Sequence, residues 1–281
     1  MKIFGIFGDP IEHSLSPAMQ NAAFRSLGLD ACYHAFRVTR EKLEEAIRGA
    51  ASLGFAGLNL TIPLKEKALE LDILQPDKLA MDIGAVNTIS FKDDGQKDSR
   101  KQILGHNTDG WGAIQALKDL GVHINGRQVL LIGAGGAARA IAYTLAEEGA
   151  EMAIANRNIK RAHELAANVG GLGYCLCDLD KLVPKADIII NATSIGMREG
   201  DVSLFEGRLI QDRQAIFDIV YNRETELLKD ARASGAMAID GVMMLVYQGA
   251  KALEIWTGKR APVHVMEKAV REGLAERLAK E

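Results

Sequence analysis

The sequence predicts an α/β fold built from two mainly parallel sheets, and three observations carry that prediction. Apolar runs of strand length alternate with amphipathic helical runs over most of the chain, the order that crossover helices impose on parallel strands. A glycine-rich turn at 133–138 joins a strongly apolar strand to a helix, as in doubly wound nucleotide-binding domains. Near Gly241 the pattern changes to two helices with no strand after them. A chain of 281 residues is also more comfortable as two domains than as one.

Taken in order, the first part reads as strand 2–7, helix 17–27, strand 32–38, helix 41–51 and strand 56–62. The stretch Leu58-Asn59-Leu60-Thr61-Ile62 alternates apolar and polar residues, as a strand with one buried face does. Pro63 cannot extend the ladder, and a helical run opens with Lys65, Glu66 and Lys67. Strands follow at 87–91 and 103–106, separated by the polar run 92–101, which reads as a hairpin or loop. A helix starts at Thr108 and stops at Gly121. Then come strand 128–132, a helix to Glu148, strand 151–155, helix 159–169 and strands 173–177, 187–191 and 215–220. The helix after Gly241 carries Val242, Leu245, Val246, Gly249, Leu253 and Trp256 on one face. If the last two helices pack back on the first domain, residues 1–107 and 241–281 form a substrate domain. Residues 108–240 are then an inserted Rossmann-type domain.

Composition narrows the function. Lysine and arginine total 34 and the acids 37, a net charge of −3, which gives no cationic excess for a nucleic acid. No run of 18 apolar residues occurs, so no membrane span is expected. Three cysteines without CxxC spacing suit a reducing cytoplasm and offer no zinc framework. Cys175 and Cys177 alternate on one face of a strand, which reads as buried packing.

The turn Gly133-Ala134-Gly135-Gly136-Ala137-Ala138 fits GxGxxG/A in its strand–turn–helix context. Gly133 permits the tight turn, Gly135 lets backbone approach a pyrophosphate, and the helix start offers free N–H groups. NAD sites place an acid at the end of the second strand. Here that strand ends in Asn156 and Arg157, with Lys160 and Arg161 following. Arginine pairs with a 2′-phosphate that an acid would repel, so NADP is favoured over NAD.

Other candidates have ordinary structural explanations when taken singly. Ser16 before Pro17 reads as a helix N-cap, whereas Ser14 has no such duty. Asp109 in a first helical turn complements the dipole. Gln248 lies among apolar residues and is expected to be partly buried, so its amide needs partners.

Together, GDPIEHSLSP, NLTIPLK, GAVNT, NTDGWG, GAGGAAR, NR, NATSIG and GVMMLVYQGA occur in this order from about Gly5 to Trp256. The chain resembles the shikimate dehydrogenase family. The resemblance implies a substrate domain, an inserted Rossmann domain, and an active site in the cleft between them. It further implies reversible NADPH-linked reduction of 3-dehydroshikimate to shikimate in aromatic amino-acid biosynthesis. By motif, Ser14 and Ser16 would bind the substrate carboxylate with Tyr221 nearby, and Thr61, Asn87 and Gln248 the ring hydroxyls. Lys65 and Asp109 would form the catalytic pair. Gly133, Ala134, Gly135, Gly136, Ala137, Asn156, Arg157, Lys160 and Arg161 would bind the cofactor, with Thr193, Ile219 and Gly241 lining its nicotinamide side. A homodimer is compatible with this reading. Two departures stand out: Gln20 precedes Asn21 where the family often has His, and the segment 221–228 lacks a family proline and is one residue shorter. The rivals are a shikimate/quinate dehydrogenase with relaxed substrate or NAD use, and a catalytically silent NADP- or shikimate-sensing protein.

Overall fold

The structure, a computed structural model, describes residues 1–92 and 102–279. Apart from Lys92, the polar run read as a hairpin or loop lies outside the described residues. The chain divides into two units, Met1–Asp109 with Val246–Glu281, and Gly110–Leu245.

In the first unit, strands β1 (Lys2–Gly8), β2 (Ala31–Arg37), β3 (Gly57–Leu60), β4 (Gln75–Pro76), β5 (Thr88–Lys92) and β6 (Gln102–His106) form one sheet. Its order is β2-β1-β3-β5-β6-β4. β1 runs parallel to β2 and β3, whereas β5 is antiparallel to both of its neighbours. The helix Leu43–Ser52 lays Leu43, Ile47 and Ala50 into a core shared with Phe7, Leu58, Leu60 and Leu64. Aromatic packing of Phe4 on Phe24 and Trp256 adds to this unit's interior. Trp256 comes from the helix Val242–Thr257 and donates its indole N–H to Ile89 O at 2.9 Å. Gly57 must be glycine because a Cβ there would meet the Trp256 ring.

All four residues of β3 are buried. The alternation read from Leu58 to Ile62 therefore does not mark a half-exposed strand. Asn59 is 5% exposed and tolerates this because its amide is fully bonded within the protein.

In the second unit, β7 (Gln128–Ile132), β8 (Glu151–Asn156), β9 (Leu172–Cys175), β10 (Ile188–Asn191), β11 (Ala215–Asp218) and β12 (Met237–Ile239) pair in the order β12-β11-β10-β7-β8-β9. Every pairing is parallel. This is the doubly wound Rossmann order, with its switch point between β7 and β10. Buried on both faces, β10 and β11 contain no exposed residue, which is why they read as apolar runs. The helix Ile159–Val169 shows how local sequence sets its limits. Asn158 accepts the Lys160 and Arg161 N–H groups at its start, and Gly170 (φ 72°) takes the left-handed turn at its end.

The strand expected at 173–177 stops at Cys175, because Leu176–Asp178 curls into a 3-10 turn. Cys177 is exposed there and Cys175 only half-buried, so the pair does not pack in the core. Among the described residues, no helix is long and apolar enough to cross a membrane.

Candidate active site

Lys65 sits in the short helix Leu64–Lys67 just beyond β3, and Asp109 opens the helix Asp109–Asp119 just beyond β6. Although 44 positions apart in sequence, they meet: Lys65 Nζ donates to Asp109 Oδ2 at 2.6 Å. The side chains are 20% and 5% exposed, so the pair is largely withdrawn from water, with the amine retaining some access. Asn87 donates to the other carboxylate oxygen, Oδ1, at 2.7 Å. The Asp109 N–H is fixed by Asn107 Oδ1, and Asn107 in turn donates to Ala85 O. The Lys65 carbonyl accepts from Val86 N, tying the lysine's turn to the residue before Asn87, at the entry to β5. Lys67, two residues on, pairs instead with Glu70 on the surface.

Asn87, only 1% exposed, is occupied on every side. Its amide donates to Thr108 Oγ1 and Asp109, and its oxygen accepts from Thr108 N and Thr88 Oγ1. The network continues inward, for Asn59 Nδ2 donates to Thr88 Oγ1 and to Asn87 O, while Tyr33 Oη donates to Asn59 Oδ1 at 2.7 Å. Burial pushes the Tyr33 phenol well above its ordinary range, with a hydrogen bond from Ser16 acting against it. A continuous buried chain of polar groups therefore runs from Ser16 to Lys65. Tyr33, Asn59, Thr88 and Thr108 were not singled out as site residues. For Tyr33, Asn59 and Thr88 the signal in the sequence is a polar group placed in a strand.

The two serines exchange the duties that their spacing suggests. Leu15 occupies the N-cap position of the helix Ser16–Ser26 and Ser16 lies inside the first turn, making no capping bond. Ser14 Oγ instead accepts the Ser16 N–H at 3.3 Å. The helix begins one position early because Met19 N already bonds Leu15 O. Arg277 holds the loop from behind, donating to His13 O and Ser14 O. Thr61 and Gln248 are half-buried in the same unit. Gly249, next to Gln248, accepts at its carbonyl from the buried Gln20 Nε2 at 2.8 Å.

In the second unit the glycine turn has the form that the fingerprint requires. Gly133 adopts φ 123°, and a Cβ there would lie 2.8 Å from Ala192 O. Around Gly135, by contrast, no atom lies within 4 Å of where a Cβ would stand, leaving its backbone open to a ligand. Gly136 and Ala137 begin the helix Gly136–Glu147, and Ala138 is fully buried in it. Asn156 ends β8 and bonds Asn158 O. Arg157 is exposed and makes no ion pair among the described residues, while Lys160 approaches Glu164 at 3.8 Å. An open backbone at Gly135 with unpaired cationic charge at Arg157 fits a phosphorylated dinucleotide.

Thr193 lies beyond β10 and is held by Asn191, whose Oδ1 accepts from both its N–H and its hydroxyl. Asn191 is anchored by Asp218, its register partner on β11, which also accepts from Val220 N and Thr225 Oγ1. Burial raises the Asp218 carboxyl above its ordinary value against those three hydrogen bonds. Ile219 follows directly, and its carbonyl lies where a Gly241 Cβ would stand. Tyr221 is half-buried in the loop after β11. Asp218 is a further residue that the sequence reading missed.

A doubly wound unit with a dinucleotide fingerprint, in one chain with a buried amine–carboxylate pair, defines the class of nucleotide-linked oxidoreductases. Three family models match: shikimate dehydrogenase substrate binding domain over residues 6–89, shikimate / quinate 5-dehydrogenase over 115–242, and shikimate 5′-dehydrogenase C-terminal domain over 241–271. The chain is 56% identical to the shikimate dehydrogenase (NADP(+)) of Methanothrix thermoacetophila, covering 98% of each sequence. Against that of Methanosarcina mazei the identity is 51%, covering 97% of this chain and 99% of the relative. The crystal structure of shikimate 5-dehydrogenase from Thermus thermophilus with NADP(H) and shikimate superposes with a TM-score of 0.87. It is 37% identical, over 97% of this chain and 100% of that one. The chain belongs to the shikimate dehydrogenase family.

Proposed function

We propose that the chain reduces 3-dehydroshikimate to shikimate reversibly with NADPH, and that Lys65 and Asp109 handle the proton. The observation that carries this is the 2.6 Å contact of Lys65 Nζ with a carboxylate that Asn87 fixes from its other side. NADPH, when bound, supplies the hydride. Lys65 protonates the substrate oxygen as negative charge develops on it, and recovers a proton from the solvent that reaches its partly exposed amine. Asp109 orients the ammonium through its 2.6 Å contact. Two hydrogen-bonded serines, Ser14 and Ser16, bind the substrate carboxylate with Tyr221, and Thr61, Asn87 and Gln248 hold the ring hydroxyls. Asn87 also aims Asp109, donating to its Oδ1 at 2.7 Å.

The open turn at Gly133–Ala137 holds the pyrophosphate, and Asn156, Arg157, Lys160 and Arg161 hold the 2′-phosphate end. Thr193, Ile219 and Gly241 line the nicotinamide side. The 56% identical NADP(+) relative supports the cofactor assignment. Three free cysteines fit a cytoplasmic enzyme.

Initial rates with shikimate or quinate, each against NADP or NAD, test the assignment. Shikimate with NADP is expected to give the highest kcat/KM. A preference for quinate or for NAD would overturn it.

A further inference from the structure

The cysteine pair at the end of β9 takes no part in the proposed reaction. The 3-10 turn Leu176–Asp178 folds the Cys177 N–H back onto Cys175 Sγ at 3.2 Å and so sets the two cysteine side chains beside one another. Cys177 is exposed and Cys175 half-buried, so small reagents can reach the pair. Two Cα–Cα steps of about 3.8 Å span roughly 7 Å when extended, and a turn shortens this toward the range of about 4.4–6.8 Å that a disulfide needs.

Position gives the pair its consequence. Cys175 is the last residue of β9 and pairs with Asn156, the last residue of β8. Arg157 follows immediately. A change in the backbone at Cys175 therefore acts on the strand end assigned to the NADP 2′-phosphate.

We propose that Cys175 and Cys177 are a reversible redox site, closed by a low-molecular-weight disulfide, whose closed form binds NADP more weakly. One protein thiolate attacks the small disulfide, forms a mixed disulfide and releases one small thiol. The second protein thiolate then displaces the other small thiol. Two protein thiols thus lose two protons and two electrons, and the small disulfide takes both up as two thiols. A ring closed over one intervening residue is strained, which makes it easily reduced and suits it to regulation rather than to stability. The hydrogen bond with Cys175 holds the Cys177 thiol above its ordinary range, so closure quickens as pH rises. The linkage to NADP rests on the cofactor assignment above; formation of the disulfide does not.

The test treats the full chain with oxidised glutathione, digests part of it without reductant for mass spectrometry, and titrates the rest with NADPH by its fluorescence. The peptide spanning Cys175 and Cys177 should lose two hydrogens, and the Kd for NADPH should rise at least about fivefold. Dithiothreitol should reverse both changes. Cys175→Ser and Cys177→Ser should each keep the untreated Kd under oxidant. Free or only glutathionylated cysteines after treatment would overturn the proposal, as would a disulfide that leaves NADPH binding unchanged. Because the readouts are mass and binding, they stand apart from the turnover assay, whose failure would instead strike the proposed function.

Discussion

Replacing Lys65 by Met removes the ammonium but keeps an unbranched apolar stem of similar length. The structure implies two separable consequences. Turnover loses its proton donor, a loss of about 10²–10⁴-fold in kcat, or roughly 2.7–5.4 kcal/mol in the barrier. Stability also falls, because Asp109 is 5% exposed and keeps only its bond from Asn87 after the cation is gone. Breaking a buried ion pair from one side costs about 3–5 kcal/mol. The one-fifth exposure of Lys65 and the retained Asn87 bond place this case at the low end. The double variant Lys65→Met/Asp109→Asn removes both charges and should recover part of the lost Tm while its kcat stays as low as that of Lys65→Met. Two groups acting as one unit give such non-additive losses. Steady-state shikimate oxidation at saturating NADP, with thermal melts alongside, separates the two effects. Lys67→Met breaks only an exposed pair with Glu70 and serves as the control, expected near wild type. A Lys65→Met protein that folds and keeps kcat within about tenfold of wild type would refute the assignment.

Three further outcomes are expected. Arg157→Ala should raise KM for NADP by about one to two decades, the worth of a charge-assisted bond of roughly 1.5–3 kcal/mol, with little change for NAD; equal changes for both cofactors would remove Arg157 from the phosphate site. Tyr33→Phe leaves Asn59 Oδ1 without its buried donor, so stability should fall by about 1–3 kcal/mol and KM for shikimate should rise while KM for NADP holds; unchanged shikimate kinetics would make Tyr33 a core residue only. Asp218 has a raised carboxyl pKa, so between its ordinary value of 3.8 and the raised one the folded state holds more protons than the unfolded. Stability from this group is full below that window and is lost as pH rises through it, and Asp218→Asn should abolish this slope in unfolding measurements.

The parallel strands of the Rossmann unit were legible because burial on both faces leaves little but apolar side chains. The strand 128–132 and the helix 159–169 have the expected limits. Short elements were not legible: β12 has three residues, and the helix Glu226–Ala233 announces itself only through its Thr225 cap. Shifts of one or two residues at element ends had chemical consequences. A helix start one position early moved the capping bond from Ser16 to Ser14, and a strand that ends two residues sooner brought Cys177 to the surface. The site was legible only by resemblance to a family. Periodicity cannot show that residues 65 and 109 meet, because that contact depends on β3, β5 and β6 lying side by side. Asn59 and Tyr33 look like ordinary strand residues until register brings their polar atoms together.

Hydride transfer by this chain from NADPH to C3 of 3-dehydroshikimate can be followed with an isotope. NADPH deuterated at the transferable position of the nicotinamide is incubated with 3-dehydroshikimate and the purified chain, and the product is analysed by NMR and mass spectrometry. The expected product is shikimate carrying a single deuterium at C3. Failure to form shikimate, or shikimate formed without the label at C3, would contradict it.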